Sequence, residues 1–128
     1  MKLLLDTHLL LWLSLDAPEL SARARSIIEE PSNALFFSTA SIWEIAIKRG
    51  LGRSDFTIDP RLLRRGLLDN GYQEVSIESR HALATLDLPL LHKDPFDRIL
   101  IAQASVDGLM LATMDDMVAR YPGPIMRL

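Results

Sequence analysis

Four acidic residues are the side chains in this sequence with the clearest capacity for chemistry. They are Asp6, Glu44, Asp97 and Asp115. Carboxylate oxygens are the ligands that hard divalent cations prefer, and such ions can activate a water molecule and stabilise charge on a phosphodiester. Because the chain has no cysteine and its three histidines are dispersed, the donor set favours Mg²⁺ or Mn²⁺ over zinc. The chemistry indicated is hydrolysis at phosphorus.

Two of these aspartates follow short apolar runs that are typical of buried parallel strands. Asp6 comes directly after the run Lys2–Leu5, and Asp115 lies just past the run Leu109–Ala112. Ligands of open parallel sheets bind beyond the carboxyl ends of the strands, so both side chains are predicted to point toward such a site. The alternative is that each aspartate only forms a turn or caps a helix.

Asp97 belongs to a predicted helix that is apolar on nearly every side. The dipeptide Asp94-Pro95 predicts the helix start, with Asp94 as the N-cap, and Gly108 predicts its end. Ile101 follows Asp97 on the same face, where a carboxylate is costly unless it is paired or binds a metal. Arg98 is adjacent in sequence and therefore points elsewhere. A functional role is the better explanation for Asp97.

Glu44 lies within a predicted helix that follows the capping hydroxyls of Ser38–Ser41 and ends at Gly50. Most of its neighbours in this helix are apolar, which leaves only a narrow polar stripe. Lys48, four residues later, offers an alternative in which Glu44 forms a surface ion pair. The residues alone favour neither explanation.

Short apolar runs alternate with segments of helical periodicity along the whole chain, which indicates an α/β sandwich. Strands are predicted at Lys2–Leu5, Asn33–Phe37, Tyr72–Ile77, Leu109–Ala112 and Pro124–Leu128. Helices are predicted over Leu9–Leu15, from Ser21 to Pro31, from Ser38 to Gly50, Pro60–Gly71, His81–Leu86, Pro95–Gly108 and Asp115–Ala119. We therefore expect one α/β/α domain over residues 1–128, with a mostly parallel central sheet of four or five short strands.

The composition limits the classes of protein to which the chain can belong. Hydrophobic residues make up 48% and charged residues 24% of the sequence, which argues for a compact protein and against disorder. The absence of cysteine excludes disulfides and thiol chemistry and suits a reducing cytoplasm. Asp6 and His8 interrupt the apolar N-terminal stretch, and no apolar run approaches the ~20 residues that a membrane span needs. A soluble, cytoplasmic protein is expected.

The net charge of −3 counts against a nucleic-acid partner, which usually requires a basic surface. A local basic excess lies between Glu44 and Leu68. It consists of Lys48, Arg49, Arg53, Arg61, Arg64 and Arg65, set against Glu44, Asp55 and Asp59. This excess either contacts phosphates or is an ordinary solvated helix surface, and the sequence does not decide between them.

Four segments of the chain resemble, in order, the conserved blocks of PIN-domain ribonucleases. They read LLLDTHLLLW, SIWEIAIK, HKDPFDRILIAQA and LATMDD. The resemblance is narrower to the VapC-type toxins of type II toxin–antitoxin pairs, in particular to those with DTH, a nearby tryptophan and HKDPFDR. It implies that Asp6, Glu44, Asp97 and Asp115 are the catalytic, metal-binding quartet. It also implies that Thr7 and Thr113 orient these carboxylates or contact substrate.

The resemblance further implies a PIN-like fold and a Mg²⁺-dependent endoribonuclease, with Mn²⁺ as a possible substitute. The implied partners are an RNA substrate, a second copy of the chain in a homodimer and a VapB-like antitoxin. One alternative is a non-catalytic PIN module that binds RNA or protein. A phosphatase with an aspartyl nucleophile is disfavoured, because Asp6-Thr7-His8 lacks the second aspartate of a D-x-D motif.

Several neighbouring residues are given lesser roles in this interpretation. Asp116 competes with Asp115 for the fourth position, and Asp115 is preferred because of its spacing from Thr113. The histidines, His8, His81 and His92, are expected to lie at the surface or to form local hydrogen bonds. Trp12 and Trp43 are expected to pack in the core or at a subunit contact rather than stack on bases.

Overall fold

A computed structural model describes residues 1–128 and contains five strands, seven α-helices and one 3₁₀ helix. The strands are β1 (Lys2–Leu5), β2 (Ala34–Ser38), β3 (Gln73–Val75), β4 (Met110–Thr113) and β5 (Ile125–Arg127). The α-helices are α1 (Thr7–Leu15), α2 (Ala22–Glu29), α3 (Thr39–Gly50), α4 (Pro60–Asp69), α5 (Ser79–Ala84), α6 (Pro95–Asp107) and α7 (Asp116–Ala119). The 3₁₀ helix spans Thr85–Asp87. No helix has the length and apolar character needed to cross a membrane.

The strands form one sheet in the order β3-β2-β1-β4-β5, and every neighbouring pair is parallel. β1 is central, with Leu4 in register with Phe36 of β2 and Leu111 of β4. Successive side chains of a strand point to opposite faces of the sheet. Leu3 and Leu5 accordingly belong to one core cluster, whereas Leu4 belongs to a second. The sheet is therefore the middle layer of a sandwich.

Each face of the sheet is covered by its own set of helices. The first cluster contains Leu9 and Leu10 of α1, together with Leu63 of α4. The second contains Leu100 and Ile101 of α6. Burial of one such aliphatic side chain contributes about 1.5–3 kcal/mol of transfer free energy, so these contacts hold α1 and α6 against opposite faces.

The parallel topology places the candidate site at one edge of the sheet. The carboxyl ends of β1 and β4 lead directly to Asp6 and to Thr113, and β2 ends at Ser38. Because the three strands are adjacent and parallel, these ends lie side by side. α3 packs against both α1 and α6. Helices α3 and α6 thereby bring Glu44 and Asp97 toward the same edge.

The predicted α/β/α fold with a mostly parallel sheet is confirmed, and the sheet is parallel throughout. α1 starts at Thr7 rather than at Leu9, because Asp6 caps its first turn. The third strand is limited to Gln73–Val75, shorter than predicted. α5 starts at Ser79, two residues before the predicted position, because Glu78 and His81 form a reciprocal capping box.

Candidate metal centre at the carboxyl edge of the sheet

Asp6 is both the N-cap of α1 and a buried member of the site. Its Oδ1 accepts a hydrogen bond of 2.9 Å from the Leu9 backbone N–H. Its Oδ2 accepts a hydrogen bond from the Thr113 hydroxyl. Burial raises the pKa of Asp6 above its usual value, against the lowering effect of these two hydrogen bonds. The capping and functional explanations of Asp6 are thus compatible, because a carboxylate has two oxygens.

Thr113 connects the first and last carboxylates of the predicted quartet. Its buried hydroxyl donates to Asp6 and accepts a 3.0 Å hydrogen bond from the Asp115 backbone N–H. Asp115 Oδ1 caps α7 through the N–H groups of Met117 at 2.7 Å and Val118 at 3.2 Å. The charge of Asp115 adds, after burial, to the raised pKa of Asp6. Asp115 therefore acts electrostatically on the buried site.

Asp115 and Asp116 are both exposed but have different partners. The Asp116 side chain forms an ion pair with Arg127. Asp115 is among the main contributors to the raised pKa of both Asp6 and Asp97, and Asp116 is not. The geometry favours Asp115 over Asp116 as the fourth carboxylate.

Glu44 is 97% buried, so the predicted alternative of a surface ion pair is wrong, although the pair with Lys48 does form. Glu44 Oε1 accepts a 2.6 Å hydrogen bond from the Thr7 hydroxyl, and Oε2 accepts one from Lys48 Nζ. The Lys48 ammonium also lies 4.9 Å from the centroid of the Phe56 ring. Thr7 and Lys48 together hold the Glu44 carboxylate in one orientation.

Asp97 has a strongly perturbed carboxyl group. Its pKa is raised to about 7, first by burial and then by the negative charges of Asp94, Glu44, Asp6 and Asp115, in that order. The other three members of the predicted quartet are thus all close enough to disfavour ionisation of Asp97. The Arg98 guanidinium bonds the Pro89 carbonyl and the Tyr121 hydroxyl instead, as its sequence position predicted.

His92 contacts Asp97 and was not predicted as part of the site. Its Nε2 lies 3.0 Å from Asp97 Oδ2. His92, Asp94 and Asp97 form the only group of three or more histidine, aspartate or glutamate side chains whose potential ligand atoms all lie within 4.8 Å of one another. Asp94 is also the N-cap that the sequence predicted, with its Oδ1 2.9 Å from the Phe96 N–H. The sequence signals for His92 are its place just before this helix start and its position as the first residue of the segment HKDPFDR.

The donor set fits a hard divalent cation. Its atoms are carboxylate oxygens, and Lys48 is the only lysine or arginine that forms an ion pair with a member of the quartet. Burial raises the pKa of both Asp6 and Asp97, and neighbouring carboxylates add to it, more strongly for Asp97, so the negative charge of these groups is poorly stabilised. A divalent cation would offset it. The residues that could bind this cation are Asp6, Glu44, Asp97 and Asp115, with His92 and Asp94 at the edge of the site.

The remaining residues noted in the sequence lie in several environments. His81 is fully buried and bonds Asp107, whereas His8 is partly exposed beside Trp12. Trp12 packs against the first core cluster, as predicted, but Trp43 is 60% exposed beside Phe96. Among the basic residues, Lys48, Arg53 and Arg64 pair with acids, whereas Arg49, Arg61 and Arg65 have no carboxylate within 4.0 Å.

Comparison with known proteins identifies related sequences and folds. A family profile of the PIN domain matches residues 3–124. The solved structure of VapBC2 from Rickettsia felis, bound to a DNA fragment from their promoter, aligns with a TM-score of 0.72 at 13% identity over 99% of this chain and 98% of that one. VapBC-1 from nontypeable Haemophilus influenzae and DNA-bound VapBC from Salmonella typhimurium align with TM-scores of 0.62 and 0.64, each at 17% identity with the same coverage. No curated protein sequence matches the chain. At these identities the structural matches show a shared fold.

Proposed function

Because the chain belongs to the PIN-domain family, we propose that it is a Mg²⁺- or Mn²⁺-dependent endoribonuclease and the VapC-type toxin of a toxin–antitoxin pair. The observation that carries this proposal is the burial of the Asp6 and Glu44 carboxylates near Asp97 at one edge of the sheet. Burial and the charges of Asp94, Glu44, Asp6 and Asp115 all raise the pKa of Asp97. Carboxylates gathered without compensating cations cost folding free energy, and a metal-binding role accounts for that cost.

The proposed mechanism divides the work among the residues of the site. Asp6, Glu44, Asp97 and Asp115 hold the cation, directly or through water. When bound, the cation activates a water molecule and stabilises the charge that develops on the phosphodiester. Thr113 orients Asp6 and the Asp115 backbone, and Thr7 orients Glu44. Lys48 limits the repulsion that Glu44 would exert on an approaching phosphate.

An RNA substrate is supported by the arginines that have no acidic partner. Arg49 lies on α3, and Arg61 and Arg65 lie on α4. Their charges are available to phosphates, which supply most of the sequence-independent affinity for nucleic acid. The acidic net charge of −3 includes the quartet, part of which a bound divalent cation would offset.

Cleavage of RNA by the purified protein tests the proposed activity. We expect cleavage with Mg²⁺ or Mn²⁺, none with chelator, and a loss of at least about 100-fold in the Asp97→Asn and Asp115→Asn variants. Asp116→Asn is the matched control for Asp115→Asn, since its exposed side chain pairs with Arg127, and it should retain wild-type cleavage. Undiminished cleavage in chelator or by Asp97→Asn would contradict the assignment.

We propose that the chain forms a homodimer and that a VapB-like antitoxin binds it and covers the site. We place both proteins in the cytoplasm. These proposals are supported by the fold shared with proteins named VapBC and by the sequence resemblance to VapC-type toxins. Expression of the chain alone should arrest growth, and co-expression with the product of the adjacent gene should restore it. Normal growth on expression of an active nuclease would refute the toxin role.

A second candidate function is a non-catalytic PIN module that binds RNA or protein. Two observations favour it. The ligand atoms of the four carboxylates are not all within 4.8 Å of one another, and Glu44 is already paired with Lys48. A Mn²⁺ titration separates the two functions. A structural cluster should bind Mn²⁺ only weakly, and its affinity should not depend on Asp97.

A further inference from the structure

A cavity of about 390 Å³ opens beside the first and last carboxylates of the candidate metal centre. Its lining includes the carboxylates of Asp6, Asp115 and Asp116 and the rings of His8 and Trp12 of α1. Met114 and Met117 complete the apolar part of its lining. The cavity thus combines aromatic rings, thioether groups and carboxylates at the place where the proposed reaction occurs.

His8 and Trp12 form an aromatic pair within this cavity. Their ring centroids are 5.7 Å apart with an interplanar angle of 48°. The His8 ring also meets Phe56 edge-on, with the centroids 5.5 Å apart, and its side chain is still 43% exposed. Trp12 packs partly against the first core cluster. Packing in the core therefore explains one side of Trp12 but not its position in the cavity lining.

We propose that this cavity is a nucleobase subsite in which one unpaired base of the RNA packs against Trp12 and His8. The proposal rests on the ribonuclease function proposed above. Unpaired bases commonly stack on aromatic side chains. A cation held by Asp6 and Asp115 would bring the phosphodiester to the edge of this cavity, so that a neighbouring base reaches the rings of Trp12 and His8. The geometry points to a base, not the backbone, as the occupant.

Abasic RNA combined with Trp12 variants tests this subsite. For the wild-type protein, removal of the base at one position near the cleaved bond should lower kcat/KM about tenfold. Trp12→Leu should lower kcat/KM on intact RNA by a similar factor and should show no further loss at that abasic position. Trp12→Phe, which keeps a ring, should lose less. Wild-type kinetics in Trp12→Leu, or losses that multiply, would overturn the proposal.

Tryptophan fluorescence tests the same subsite independently of cleavage. In a Trp43→Phe protein, Trp12 is the only tryptophan, so quenching by a short oligonucleotide reports a base packed against it. Quenching without any metal-dependent cleavage would refute the ribonuclease function while retaining the subsite. An unchanged spectrum at oligonucleotide concentrations that saturate binding would overturn the subsite and leave the ribonuclease function intact.

A second inference concerns the backbone around His92, which is held by a separate hydrogen-bond network. The Tyr121 hydroxyl accepts from the His92 N–H at 2.8 Å and donates to the His92 carbonyl at 2.9 Å. Tyr121 is 96% buried. Arg98 reaches the same hydroxyl at 3.2 Å and also bonds the carbonyls of Pro89 at 2.8 Å and Thr85 at 3.0 Å. The segment that precedes α6 is therefore held at several points.

This network orients one side chain toward the candidate metal centre. His92 Nε2 lies 3.0 Å from Asp97 Oδ2, and no other side chain or backbone group hydrogen-bonds the Asp97 carboxylate. We infer that His92 is a positioning residue that fixes Asp97 and leaves Oδ1 free to bind a cation. Groups that orient metal ligands in this way contribute to affinity without touching the metal.

Mn²⁺ affinity measured by calorimetry tests the role of His92. His92→Leu removes the donor and should raise the Mn²⁺ dissociation constant about 10- to 100-fold. His92→Gln keeps an N–H donor and should recover most of that loss. Tyr121→Phe, which frees the His92 backbone but keeps the ring, should raise the constant by a smaller factor.

Two results would overturn the positioning role of His92. Wild-type Mn²⁺ affinity in His92→Leu is one. An equal loss in His92→Gln and His92→Leu is the other, because it would make His92 itself a ligand. Thermal unfolding of each metal-free variant reports whether the fold is preserved. If His92→Leu does not fold, Tyr121→Phe and His92→Gln still decide the question.

Discussion

The molecule contains two histidine–aspartate pairs with the same separation in very different surroundings. His81 and Asp107 lie between α5 and α6, and His92 and Asp97 lie at the carboxyl edge of the sheet; each pair has an N···O distance of 3.0 Å. Asp107 also forms an ion pair with Arg80, so its charge is compensated. Asp97 has no arginine or lysine partner and faces other carboxylates, and its pKa is raised to about 7.

This comparison sets a structural buried charge beside the charge of a candidate functional residue. At the α5–α6 junction both nitrogens of the fully buried His81 are used, since Nδ1 accepts the Glu78 N–H at 2.9 Å. Every group there stabilises the fold. At the sheet edge the carboxylates repel one another, which weakens the fold unless a cation binds. The fold pairs its buried charges elsewhere, so a cluster of carboxylates that lowers the stability at one place is typical of a binding site.

The largest expected effect is on RNA cleavage, where replacement of Asp97 and replacement of Asp107 should have different consequences. Asp97→Asn should lower RNA cleavage at least about 100-fold, because it removes a proposed metal ligand, whereas Asp107→Asn should leave cleavage within about twofold of wild type. Initial rates at saturating Mg²⁺ measure both. A comparable loss in the two variants would indicate that Asp97 acts through the fold.

The next effect is on the stability of the fold and is expected at the pair of His81 and Asp107. His81→Leu leaves the Glu78 N–H and one oxygen of Asp107 without their partner, so the free energy of unfolding should fall by about 2 kcal/mol. Urea denaturation monitored by circular dichroism measures the change. Mn²⁺ affinity should stay at the wild-type value in this variant. An altered Mn²⁺ affinity would show that the two pairs are coupled.

The last expected effect is the pH dependence of stability without metal. The folded protein holds the Asp97 proton with a pKa of about 7, against 3.8 for the ordinary carboxyl. This contribution to stability is complete below about pH 4 and is lost progressively as the pH rises to about 7. Denaturation in chelator from pH 4 to pH 8 should show the loss for wild type and a flatter profile for Asp97→Asn. Parallel profiles would exclude Asp97 as the titrating group.

The sequence predicted most of the fold because its signals are local. Capping residues such as Ser21, Asp59 and Asp94 mark helix starts, and each accepts the capping hydrogen bond in the structure. Short apolar runs identified the strands, and their alternation with helices indicated parallel pairing. The weakest prediction was β3, which is an edge strand and has no fully buried residue.

The candidate site was predicted less completely because its contacts join distant segments. Strand ends and an apolar helix pointed to Asp6 and Asp97, but the link from Thr113 to Asp6 spans 107 positions. The contact of His92 with Asp97 depends on a loop with no periodicity, and the network that fixes this loop involves Tyr121, 29 residues away. The burial of Glu44 beside Lys48 depends on how α3 packs, which the helix sequence alone left open.

A calorimetric Mn²⁺ titration of the wild-type protein and of Asp97→Asn, at pH 6 and at pH 8, tests the central claim that the carboxylate cluster is a metal site. Because a cation must displace the proton that Asp97 holds with a pKa of about 7, wild-type affinity should rise about tenfold between these two values. Asp97→Asn should bind far more weakly and with little pH dependence. Mn²⁺ binding that is absent from the wild-type protein, or equal in the two proteins at both pH values, would contradict the claim.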